Sequence, residues 1–100
     1  MDVQSQKLLV TLIRTQRTAA LGTLHDGAPL VSMVLYAPTA DCSAFYLHIS
    51  RLAQHTQAIL RDSQVGLLIA EPDTGAQDPQ TLARVSLQGT ASEVLRTDAD

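Results

Sequence analysis

A chain of 100 residues has room for one domain with a modest core, here taken as residues 1–100. Hydrophobic residues make up 45% and charged residues 17%, a globular balance that excludes long disorder. The net charge of −3 argues against a large basic footprint, so no nucleic-acid partner is expected.

The first segment reads as a helix, because Leu8, Leu9, Leu12 and Ile13 form one apolar stripe while Gln4, Lys7, Thr11 and Arg14 fall mostly on the other face. Arg14 and Arg17 suit the negative end of its dipole. Ala19–Leu24 is then a short strand, and Asp26-Gly27 is a strong hairpin signal, since a type I′ turn needs positive φ at both central residues. The returning strand, Pro29–Tyr36, is apolar at nearly every position, so both its faces need cover. After a loop over 37–43, Ala44–Ile49 alternates as a third strand, with Phe45, Leu47 and Ile49 on one face and Tyr46, His48 and Ser50 on the other. A helix over Arg51–Asp62 follows, with Ser50 as its expected N-cap. Val65–Ala70 is a fourth strand, Glu71–Leu82 the longest loop, and Arg84–Val94 a fifth strand turning Val85, Leu87, Gly89 and Ala91 inward. Thr97-Asp98 reads as the start of another helix. Five antiparallel strands with two helices make a mostly β, α+β fold, a small barrel closed by a helix.

Cys42 is the single cysteine, so no internal disulfide forms and a reducing compartment fits. The N-terminus lacks the pattern of a signal peptide, since Asp2 precedes Lys7, and Thr11 and Arg14 interrupt the apolar stretch. No apolar run approaches the ~18 residues of a membrane span. The expectation is a cytoplasmic protein without membrane contact.

No pattern of a catalytic nucleophile, phosphate loop or metalloprotease is present, and the catalytic residues are unknown. His25, His48 and His55 form no metal motif, and no metal is expected. Charge favours an anion site in the first two thirds: residues 1–61 carry five basic and three acidic groups, and residues 62–100 two basic and seven acidic. The junction after the third strand offers one. A helix N-terminus presents unpaired N–H groups and positive dipole, Ser50 a hydroxyl, and Arg51 a fork of donors, together a candidate phosphate cradle. The alternative is Ser50 as a plain N-cap with Arg51 in solvent. Ser32, the one polar side chain of its strand, either meets a ligand or bonds a neighbouring strand. Gln88 either reaches a polar ligand edge or lies on an exposed face, and Cys42 reads as an ordinary free thiol.

Three blocks carry a resemblance. Ala20–Ser32, with Leu21, Thr23, Asp26-Gly27 and Pro29, resembles the opening of the pyridoxamine 5′-phosphate oxidase-like flavin-binding split barrels. Ser50-Arg51-Leu52-Ala53-Gln54-His55-Thr56 is similar to a segment of the haem-utilisation branch of that family, and Arg84–Ala91 looks like its later strand. The resemblance implies a homodimeric split β-barrel that binds FMN between subunits, with the strand containing Ser32, Met33 and Val34 bordering the flavin ring. It implies that Ser50 and Arg51 hold the phosphate and that His55 is the motif's histidine. It also implies that the family continues with further strands or a helix beyond this chain's end. The leading expectation is an FMN-binding oxidoreductase-like protein acting on a small molecule of unknown identity. The alternatives are a haem-handling module contacted by His48 or His55, and a cofactor-free structural dimerisation domain.

Overall fold

The computed structural model describes residues 1–94; the expected helix start at Thr97-Asp98 lies outside them. Helix α1 (Val3–Thr15) begins where the Asp2 carboxylate accepts the Ser5 N–H at 2.7 Å, which fills one of the unpaired donors of the first turn. This contact holds the Asp2 carboxyl below its ordinary pKa. Strands β1 (Thr18–His25), β2 (Ala28–Pro38), β3 (Phe45–His48), β4 (Gln64–Ala70) and β5 (Arg84–Thr90) form one antiparallel sheet in the order β3-β2-β1-β4-β5. Helix α2 (Gln54–Arg61) connects β3 to β4. The sheet curls as a half-barrel, the split-barrel architecture, with β3 and β5 as its edges.

The β1–β2 hairpin turns at Asp26 (φ 51°) and Gly27 (φ 80°), the pair of positive φ values expected of these residues. Alternation then divides the sheet. Ala19 and Leu21 of β1, Val34 and Tyr36 of β2, and Leu67 and Ile69 of β4 face inward and pack with Leu12 and Ile13 of α1. Tyr36 donates its hydroxyl at 2.7 Å to the Ile13 carbonyl, one of the last four of α1 and so without an intrahelical partner. Burial raises the pKa of this hydroxyl. Its ring meets Phe45 edge-on at 5.9 Å.

The structure departs from the sequence expectations at the element ends. Leu8, placed on the buried stripe of α1, is 59% exposed, and the core contacts come from Leu9, Leu12 and Ile13. Ser50 is not the N-cap of α2. The helix begins at Gln54 with Ala53 at its cap, and the Ser50 hydroxyl instead accepts the Leu52 N–H at 3.2 Å in a tight turn. Strand β5 ends at Thr90 rather than Val94, because Ala91 donates to the Ser63 carbonyl and β4 has no residues left to pair. The 71–82 loop contains a short 3-10 turn, Pro79–Thr81, and is closed by Glu71, whose carboxylate accepts the Ala83 N–H at 2.7 Å. No helix among the described residues is long and apolar enough to cross a membrane.

Candidate functional site

The outward face of the sheet follows from the same alternation. If Leu21 and Val34 point in, then Val31, Met33 and Leu35 of β2 point out, and they are 69%, 75% and 52% exposed. The partners on β1 are small. Val31 pairs with Gly22, Met33 with Ala20 and Leu35 with Thr18. On the far side, Leu68 of β4 pairs with Ala20 and is also exposed. Large aliphatic walls thus stand on either side of a floor of Thr18, Ala20 and Gly22. Part of this face, lined by Thr18, Ala20, Val31, Met33, Leu68 and Ala70, forms an open apolar trough of about 430 Å³. The neighbouring row across the sheet runs Val31–Gly22–Gly66–Gln88, with two glycines side by side. A Cβ on Gly22 would meet only the Gly66 carbonyl, at 3.8 Å, so this row has room above it.

The expected site residues distribute over this frame as follows. Met33 forms a trough wall, and Gln88 is exposed on the same face across the sheet. Val34 is a core residue, 5% exposed, and its side chain is directed away from the trough. Ser32 also turns inward; its hydroxyl is buried without a partner. His55 belongs to the face of α2 that carries buried Ala58 and half-buried Ile59, and its Nε2 is likewise buried and unpartnered.

Ser50 and Arg51 lie in the turn between β3 and α2. The pairing of β3 with β2 ends at Leu35–His48, so the turn follows directly from this edge of the sheet. Its backbone is held firmly: Thr56 donates its hydroxyl to the Ser50 carbonyl, and Gln57 donates its amide to the Arg51 carbonyl at 2.8 Å. The Arg51 guanidinium, 84% exposed, donates to the Glu93 carboxylate at 2.6 Å. Chemically the turn offers a hydroxyl and a guanidinium, donors suited to a phosphate.

Sequence reasoning did not find the trough floor or Glu93. The floor residues are small and chemically silent, and only strand register brings them together. Glu93 lies 42 residues from Arg51. A second, smaller cleft of about 140 Å³ is lined by Leu35, Tyr36, Ala37, Tyr46 and His48, which puts His48 at the β3 edge of the sheet. Among the described residues, no group of three His, Cys, Asp or Glu is placed to hold a metal ion.

Comparison with known proteins agrees with this architecture. The family model described as pyridoxamine 5′-phosphate oxidase matches residues 5–100. One solved structure is 31% identical with a TM-score of 0.81, over 98% of this chain and 66% of its own. HutZ, the haem storage protein from Vibrio cholerae, is 22% identical with a TM-score of 0.80, over 99% of this chain and 68% of its own. A haem-binding protein from Mycobacterium smegmatis is 26% identical with a TM-score of 0.76, over 90% of this chain and 36% of its own. The chain therefore spans about two thirds of the first two structures and about a third of the last. None of the curated proteins matches it.

Proposed function

The chain belongs to the pyridoxamine 5′-phosphate oxidase family, and on that footing we propose that it is the core of a homodimeric, FMN-binding protein of oxidoreductase type. The observation that carries the reading is the uncovered aliphatic trough on the outer face of the sheet, and the phosphate-type donors Ser50 and Arg51 in the turn after edge strand β3 support it. The residues present suit the cofactor in kind: aliphatic walls for a flat ring, and a hydroxyl and a guanidinium for its phosphate. A second copy seated on the walls at Val31, Met33, Leu35 and Leu68 would cover them and leave space above the small floor.

In this reading Met33 and the backbone of Ser32 and Val34 border the ring, Ser50 and Arg51 bind the phosphate, and Gln88 faces the polar edge at the far side. His55 holds α2 against the sheet and so fixes the turn. Bound flavin supplies the redox chemistry, while the chain supplies binding, orientation and exclusion of water. A cytoplasmic location fits a lone cysteine.

The test is FMN binding followed by fluorescence quenching. Arg51→Ala should weaken binding about ten- to hundredfold, the scale of a charged hydrogen bond. Arg51→Lys should recover part of it, because a point charge lacks the guanidinium fork. Riboflavin, which has no phosphate, should bind poorly and respond little. Equal FMN affinity in wild type and Arg51→Ala removes the phosphate role.

A second reading has its own observation. His48 lines an outward cleft beside Tyr46 and Leu35, and one similar structure is a haem-binding protein. If the chain handles haem, added haemin should give a Soret band that shifts in His48→Ala. An unshifted band excludes His48 as the contact.

A further inference from the structure

The only side chain on the Arg51 guanidinium among the described residues is the carboxylate of Glu93, and it occupies the kind of position a phosphate oxygen would take. We propose that Glu93 is an internal competitor for the anion site: a latch that sits on Arg51 until a phosphate group displaces it. The inference rests on the phosphate role proposed for Arg51.

The two ends of the latch are held unequally. The Ser50-Arg51 turn is fixed by the Thr56 and Gln57 side chains on its carbonyls. Glu93 lies beyond the last pair of the β4–β5 ladder. The final backbone hydrogen bond on that side is from Ala91 to Ser63, and Ser92–Val94 make none to the described residues. Displacement therefore costs little backbone structure, and it is the Glu93 end that moves. Both side chains are exposed, at 84% and 53%, so the pair is screened by solvent and weak enough to exchange. A phosphate dianion on Arg51 would also repel a carboxylate left on the same guanidinium, which makes the two anions alternatives rather than neighbours. The latch makes the segment after β5 responsive to occupancy of a site 42 residues away in sequence.

The test is FMN titration of four proteins by fluorescence quenching: wild type, Glu93→Gln, Arg51→Ala and the double variant. Glu93→Gln keeps the side-chain shape and removes the charge. It should tighten FMN about two- to fivefold, the range an exposed ion pair is worth. The gain should vanish in the Arg51→Ala background, because the competitor then has nothing to occupy. Unchanged or weaker binding by Glu93→Gln, with wild-type binding still dependent on Arg51, overturns the latch and leaves the phosphate site standing. An equal gain with and without Arg51 also overturns it, since that is a general charge effect. Wild-type binding indifferent to Arg51, or no FMN binding by any of the proteins, overturns the phosphate role and the latch together.

Discussion

Met33 is the most informative position for the proposed homodimer. Its side chain is 75% exposed at the middle of the trough wall, flanked by Val31 and Leu35 on the same strand face. Burying a methionine completely is worth about 1.5–3 kcal/mol, so covering the exposed three quarters gives about 1–2 kcal/mol per copy. In a two-fold interface every residue is used twice, so Met33→Ala should remove about 2–4 kcal/mol from dimer formation. This raises the dimer dissociation constant about 30- to 1,000-fold. Met33→Glu should weaken it further, since each copy would then carry an unpaired carboxylate into an apolar contact. The substitution leaves the core untouched, because Met33 faces away from Leu21 and Val34. Sedimentation velocity from low micromolar concentration upward reads the mass, and thermal melts confirm folding. A wild-type mass of one chain throughout, or an unchanged dimer in Met33→Glu, would falsify the claim that this face is covered by a second copy.

Other expectations concern the frame that carries the site. Tyr36→Phe should cost about 1–3 kcal/mol, because the Ile13 carbonyl loses its buried donor, and the melting temperature should fall by several degrees; an unchanged melt removes that bond from the account. Gly27→Ala should destabilise the hairpin by about 1–2 kcal/mol, since its φ of 80° suits glycine alone, and urea unfolding reads the change. Asp41 accepts from the Ser43 side chain and backbone and from the Thr39 hydroxyl, which lowers its pKa from 3.8 to about 2. The folded-state value lies below the unfolded one, so its stabilisation is present above about pH 4 and lost as pH falls toward 2. Asp41→Asn should flatten acid unfolding followed by circular dichroism in that window, and an identical acid profile would count against the loop bonds. The protein should not bind duplex DNA at physiological salt, as anisotropy of a labelled random duplex would show; salt-resistant binding would contradict the charge argument.

The parts of the fold set by local chemistry were legible in the sequence. Asp26-Gly27 announced its turn because few other pairs tolerate two positive φ values. The alternation of β3 and β5 and the stripe of α1 mark their inner faces, with Leu8 and the exposed Gly89 as exceptions. The start of α2 differs from the sequence expectation for a physical reason. A serine before a helical pattern can cap the helix or close its own small turn, and here it binds the Leu52 N–H. Arg51 and Ser50 stood out as a candidate site because their chemistry is explicit. The trough did not, since Thr18, Ala20 and Gly22 matter for what they lack and gain meaning only through the strands beside them. Ser32 stands out as the one polar side chain of its strand, but the expected bond to a neighbouring strand is not made: alternation turns its hydroxyl inward, where it is buried without a partner among the described residues.

Strand β1 carries two independent sets of instructions. Its odd-numbered residues Ala19, Leu21 and Thr23 are buried in the interior, and its even-numbered residues Thr18, Ala20 and Gly22 pave the outer surface. Successive paving positions lie ~6.8 Å apart, so each is a graduation on a ruler that measures what can lie along the strand. Enlarging Gly22 shortens the usable length by one graduation, and enlarging Ala20 divides it in two. Neither change touches the residues that keep the domain folded. The open space along β1 can therefore be reshaped, one substitution at a time, while the buried face of the strand stays the same.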